Sequence, residues 1–112
     1  MQTESILEKG YDLLKYYLPL IERFPKQQRF LLGDRIQILA MTILELLSEA
    51  YYLPSSNKKE RLNEVNIKLE MLRYFNRLCY ENGYYSSLKF KEVAERLLEL
   101  GRMNGGWIKS LK

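Results

Sequence analysis

Three short breaks, RFPKQQR, LPSSNKK and ENGYYSS, cut the chain into four stretches of helical periodicity, and their brevity constrains the fold more than any other feature. Phe24 precedes Pro25 and is therefore biased away from helix. Pro54 ends the second stretch, with Ser55 or Ser56 placed to cap the next, and Asn82-Gly83 supplies a left-handed C-cap signal ahead of Ser86 or Ser87. Connections this short join neighbouring helices antiparallel. The expected fold is all-α, an up-down-up-down four-helix bundle that takes residues 1–112 as a single domain. With 46% hydrophobic and 29% charged residues, 112 residues can build one such core and are too apolar to stay disordered.

The first helix is expected from about Glu4 to Glu22, with Thr3 as N-cap and Leu7, Leu14, Leu18 and Ile21 at helical spacing. Pro19 removes a backbone donor inside it, which predicts a bend or an early frayed end. The second helix runs from about Lys26 to Tyr52. Ile36, Ala40, Ile43, Leu44, Leu47 and Tyr51 form its inner face, and Leu39, Leu46 and Ala50 widen the stripe enough to make it the central helix. The third covers about Asn57 to Glu81, and the fourth reads through Leu88, Ala94, Leu97 and Gly101 toward Ile108, with an end or kink expected at Gly105-Gly106 before Trp107. Gly10 and Gly33 lie inside helices, where glycine costs about 1 kcal/mol relative to alanine, so close helix approach is expected at both.

The third helix poses the functional question. At about 100° per residue, NIKLEMLRYFNRL puts Leu69, Leu72 and Asn76 on one side and Ile67, Met71, Tyr74 and Leu78 roughly opposite. One bundle core absorbs one stripe. The second is then either an oligomer interface or a sign that the helix touches two neighbours within the bundle. Between the stripes runs an edge of Asn66, Glu70, Arg73 and Arg77, with Lys59 farther along it. Arginine's planar fork beside tyrosine suits phosphate and base contacts, while pairing with Glu70 and Glu81 is the plainer alternative. The antiparallel order also brings Lys58, Lys59 and Arg61 to the same end as Lys109 and Lys112, diluted there by Glu4 and Glu8.

Chemistry is scarce. The chain has no histidine, which removes the commonest general base and metal ligand, so no metal site, cofactor or catalytic group is expected. The carboxylate pairs Glu45 with Glu49 and Glu95 with Glu99 lack a convergent third group and read as solvated helix faces. Cys79, the single cysteine, falls on the core side beside Leu72 and Asn76, where a buried inert thiol is expected. Charges interrupt every apolar run before the roughly 18 residues of a membrane span, and MQTESILEKG starts acidic, which together predict a cytoplasmic protein with no membrane partner. The net charge of +4 leaves any case for nucleic acid to the distribution of the basic residues.

Three blocks carry a resemblance: FPKQQRFLLGDRIQILAMTILELLSEA, NIKLEMLRYFNRL and ELGRMNGGWIKSLK. Together they resemble the accessory variability determinant (Avd) proteins of diversity-generating retroelements, a branch of a wider four-helix-bundle family that includes proteins encoded in bacterial 23S ribosomal RNA intervening sequences. Its most specific pieces are F-P-x-x-x-R-F-x-L-G-D-R-I at the start of the second helix and G-R-M-x-G-G-W-I-K-S-L at the end of the fourth. The resemblance implies a ring of five subunits, no enzymatic activity, a reverse transcriptase as partner, and a basic surface for RNA or DNA. On that basis Ile67, Met71, Tyr74 and Leu78 are expected between subunits. Arg73 and Arg77, with Lys58, Lys59, Arg61 and Lys109 as a secondary set, are expected against nucleic acid or polymerase. Membership of the wider family alone implies only an oligomeric scaffold.

Overall fold

The computed structural model describes the backbone of residues 3–111 and the side chains of residues 5–111. The capping role expected of Thr3, and the charges of Glu4 and Lys112, lie outside the described residues. Four long helices account for nearly all of the rest. Helix α1 is Thr3–Glu22, and α2 is continuous in three pieces: Lys26–Gln28, a π-helical turn at Arg29–Gly33, and Asp34–Tyr52. Helix α3 is Ser55–Glu81 and α4 is Ser87–Ser110. At 1.5 Å per residue the 27 residues of α3 span about 40 Å, which sets the long axis of a molecule measuring 45 × 23 × 19 Å. Neighbours in sequence pack side by side, and α1 closes against α4 to complete the four.

Turn chemistry explains the boundaries. At the end of α3, Gly83 takes φ +76°, the Tyr84 amide donates to the Cys79 carbonyl and the Gly83 amide to the Tyr80 carbonyl, which together make a Schellman cap. Ser86 then caps α4 by accepting the Lys89 amide at 3.2 Å. The start of α3 differs from expectation. Pro54, in extended conformation, holds the capping position and neither Ser55 nor Ser56 accepts a capping hydrogen bond; the Asn57 amide donates to the Pro54 carbonyl instead. Pro's missing N–H costs nothing at a helix start, so the turn forms without a side-chain cap.

Two helices present a different face from the one expected. In α1 the core takes Ile6, Leu13, Tyr17, Leu20 and Ile21, leaving Leu7 and Leu14 half-buried and Leu18 exposed. In α4 it takes Val93, Leu97, Leu100, Asn104 and Trp107, while Leu88 and Ala94 face outward. Nor does α4 end at Gly105-Gly106. It continues to Ser110 because burying Trp107, worth up to about 3 kcal/mol by area, outweighs the glycine penalty. Likewise α1 passes Pro19 without fraying and ends at Glu22. Of the inner face expected for α2, Ile36, Ala40, Ile43 and Leu47 are buried, together with Leu46 and Ala50 of the widened stripe, whereas Leu39, Leu44 and Tyr51 are only half-buried.

Close approach accounts for the helical glycines. A Cβ on Gly10 would meet Leu47 Cδ1 at 3.1 Å, and one on Gly33 would meet Ile21 Cγ2 at 2.7 Å, so α2 lies tight against α1 at both points. Polar pins fix α3 against α4: Asn104 donates to the Leu62 carbonyl and to Asn66 Oδ1, both at 2.8 Å, and Asn76 donates to the Phe90 carbonyl at 3.2 Å. The α1–α4 seam is fastened differently. Tyr16 donates to Glu92 at 2.8 Å, Lys89 pairs with the same carboxylate at 3.3 Å, and the Arg96 guanidinium lies 3.7 Å from the Tyr16 ring centroid. Those hydrogen bonds, Tyr16 first, hold the Glu92 carboxyl below its usual range.

Candidate nucleic-acid and polymerase interface

Helix α3 carries three faces, and its register fixes which residue lies on which. Leu62, Val65, Leu69, Leu72, Asn76 and Cys79 recur at helical spacing and are buried. Roughly opposite, Ile67 is 63% exposed, Met71 41%, Tyr74 59% and Leu78 42%. The bundle therefore leaves the second stripe open, and α3 does not use it to touch a second neighbour within the chain. A row of four large apolar side chains facing water is a surface of the kind that a partner covers.

A second apolar surface lies on other helices. Met41 and Leu44 of α2 line a shallow dent with Leu14 of α1, bordered by Glu45, Ser48 and Glu49, and Leu18 and Ile38 are exposed on the same two helices. The chain thus presents two apolar faces of different composition.

Along the third face of α3 the arginines are already engaged. Arg73 pairs with Glu70 at 2.8 Å, and its Nη2 lies 2.9 Å from where a Cβ on Gly101 of α4 would sit, so the side chain is laid across that glycine. Arg77 pairs with Glu81 at 3.0 Å, an interaction that raises its pKa above the ordinary arginine value. Both pairs are exposed, and pairs held in water are weak, so a phosphate can displace either.

The secondary basic set is divided in its work. Lys58 donates to the carbonyls of Ala50 and Tyr51 at 2.6 and 3.1 Å, capping the end of α2, and lies 5.9 Å from the Trp107 ring centroid. That contact places the α2–α3 turn beside the end of α4, as the antiparallel order requires. Arg61 pairs with Glu49 at 3.3 Å. Lys59 and Lys109 are exposed and, among the described residues, form no ion pair.

Of the two carboxylate pairs, one member of each is engaged. Glu49 and Glu99 each take a cation, Arg61 and Lys9, and among the described residues no three His, Cys, Asp or Glu side chains converge on a metal position. Cys79 is fully buried, and burial pushes its thiol up to about 11. Among the described residues no helix is long and apolar enough to cross a membrane.

Helical periodicity does not single out the corner between α1 and α2, yet the basic side chains are dense there. Arg23, Lys26, Arg29 and Arg35 lie within thirteen residues, all exposed, next to an exposed Phe30. Their density in sequence is the available signal, and the Phe24-Pro25 turn masks it by accounting for the segment as a chain reversal.

Compared with known proteins, the chain matches the family model described as bAvd-like over residues 5–111. No curated protein matches it.

Proposed function

The chain belongs to the bAvd-like family, and from that premise we propose that it is the non-enzymatic accessory protein of a diversity-generating retroelement. In this role it binds the element's reverse transcriptase and its template RNA or cDNA, and so supports mutagenic reverse transcription and retrohoming. The observation that carries the reading is the three-way division of α3 into a core face, an open apolar stripe and an arginine edge. A protein that joins copies of itself while holding a polymerase and a nucleic acid needs three such faces on one rigid element.

Assembly into a ring of five follows the same reading. Two unlike apolar faces, one on α3 and one across α1 and α2, suit head-to-tail contacts, which close into rings, better than a two-fold dimer of one patch with itself. Five copies at +4 each carry about +20, and multivalent contact makes weak single sites effective.

The experiment is a joint one. Light scattering gives the assembly mass against the 13.4 kDa chain, and a salt titration measures RNA affinity and retention of a retroelement reverse transcriptase. An Arg73→Ala, Arg77→Ala double variant that stays assembled should bind RNA more weakly, and the slope of log affinity against log salt should flatten by about 0.7 for each single-strand phosphate that is no longer held. Unchanged RNA and polymerase binding would make the edge a solvated face. One observation favours a second reading, an oligomeric scaffold of the 23S intervening-sequence type: the carboxylates of Glu70 and Glu81 already occupy both arginines. A neighbouring reverse transcriptase gene with paired template and variable repeats decides for the retroelement role.

A further inference from the structure

The corner joining α1 to α2 is charged and rigid, and it displays an aromatic ring that the core does not use. Residues 22–35 contain four basic side chains, Arg23, Lys26, Arg29 and Arg35, against two acids, Glu22 and Asp34. All six are exposed, and among the described residues none takes part in an ion pair. Elsewhere Lys9, Arg61, Arg73, Arg77 and Lys89 each hold a carboxylate. The corner is therefore a place where positive charge is in excess and is not cancelled by ion pairs.

Its mount is firm. Phe24 is buried to 3% exposure with its ring 5.5 and 5.7 Å from those of Tyr84 and Tyr85, which ties the corner to the α3–α4 turn at the same end of the bundle. The Pro25 carbonyl accepts the amides of Gln28 and Arg29, and Gly33 presses against Ile21. Between these anchors the backbone is π-helical at Arg29–Gly33, a form that fits an extra residue into one turn and is often found at functional sites. Leu32 and Gly33 turn inward, and Phe30 and Leu31 are left 67% and 62% exposed. Lys26 lies one turn before Phe30 in the chain and Arg29 is its neighbour in sequence, so the ring stands in a basic segment.

An exposed ring on a rigid mount, in a segment of unpaired cations, matches the chemistry of an unstacked base with neighbouring phosphates. A duplex hides its base faces and cannot use the ring. We propose that this π-helical corner is a contact for single-stranded RNA, in which Phe30 stacks on a base and Arg23, Lys26 and Arg29 hold the flanking phosphates. The proposal rests on the nucleic-acid reading above and names for it a second set of residues, distinct from Arg73 and Arg77.

The test uses the full chain with a labelled, unstructured single-stranded RNA and a duplex RNA of equal length, each titrated across salt. Phe30→Ala should weaken single-strand binding about tenfold, leave the salt slope unchanged and leave duplex binding unchanged, because stacking is not a counterion effect. Phe30→Trp, which keeps a ring, should restore it. A Lys26→Ala, Arg29→Ala double variant should flatten the single-strand slope by about 1.4, two phosphates at about 0.7 each. Equal weakening on single strand and duplex, or no weakening with Phe30→Ala, overturns the proposal. So does a fall in assembly mass on Phe30→Ala, which would place the ring between copies of the chain. If the unaltered chain binds no RNA at low salt, the nucleic-acid reading itself fails; if it binds and only Arg73 and Arg77 variants lose affinity, that reading stands and this corner drops out.

Discussion

Three helical glycines give a test of packing in which the structure predicts opposite signs for one substitution. Alanine in place of glycine inside a helix gains up to about 1 kcal/mol from backbone entropy wherever the new methyl fits. At Gly101 the methyl would meet Arg73 Nη2 at 2.9 Å, the far end of a long, exposed side chain that can swing away. Losing the Arg73–Glu70 pair costs about 0–1 kcal/mol, so Gly101→Ala should be neutral to stabilising by up to about 1 kcal/mol. At Gly33 the methyl would meet Ile21 Cγ2 at 2.7 Å, a short branched group on a side chain that is only 5% exposed. Overpacking of that kind costs about 1–3 kcal/mol, so Gly33→Ala should lose about 1 kcal/mol net and lower the urea midpoint by about 0.5–1 M. Gly10→Ala, at 3.1 Å from a buried Leu47 methyl, should fall between them. Urea unfolding at one fixed protein concentration measures all three, the fixed concentration removing any contribution from assembly. A Gly33→Ala chain as stable as the parent would refute the close approach of α2 to the end of α1, and with it the rigid mount of the Phe30 corner.

Further outcomes follow from the same structure. Met71→Glu puts a charge into the open stripe of α3, and light scattering should show a lighter assembly with the helical content retained; an unchanged mass means that the stripe is not between subunits. Alkylation of Cys79 in the native chain should be slow compared with that in urea, since the thiol is buried and held up to about 11; rapid native labelling contradicts this burial. Stability should fall at alkaline pH. Burial raises Cys79 above its ordinary 9.0 and Tyr17 and Tyr85 above 10.0, so the unfolded chain loses these protons first. Their contribution is whole below about pH 9 and declines as pH rises through the folded values, by up to about 1.4 kcal/mol per pH unit for each group, and urea midpoints that stay flat toward about pH 11 would contradict it.

Boundaries were the most legible part of the sequence because local chemistry sets them. Phe24-Pro25, Pro54 and Asn82-Gly83 act through backbone sterics that no packing arrangement overrides, and the helices end within a few residues of where these signals put them. Facing was legible only where apolar residues are sparse. In α3 they are few and the buried and open stripes separate cleanly; in α1 they come in doublets, Ile6-Leu7, Leu13-Leu14 and Tyr17-Leu18, so two registers fit equally and only packing against α2 and α4 selects one. Gly105-Gly106 misled for a related reason, since local propensity pointed to an end and the burial of Trp107 decided otherwise. The ion pairs of Arg73 and Arg77 were visible as spacings of three and four residues, the geometry at which helix side chains meet. The Phe30 corner was not, because its shape depends on a π turn and no periodicity of 3.6 reports one.

Local pairing ranks the basic surfaces against one another. A phosphate that takes Arg73 or Arg77 must first displace Glu70 or Glu81, and the displaced carboxylate stays on the same helix within a turn of the anion. The gain of the new interaction is then reduced by repulsion from that carboxylate at short range, a penalty that salt screens only weakly inside a Debye length of about 8 Å. At the α1–α2 corner no such exchange is needed, because among the described residues Arg23, Lys26 and Arg29 have no carboxylate to surrender. Phosphates bound there would release counterions without rearranging the protein, so at equal salt each contact should contribute more than one at Arg73 or Arg77. The arginine edge, being conditional, fits a surface that engages once a partner brings a phosphate or carboxylate into register, which is what joint binding of template and polymerase would supply.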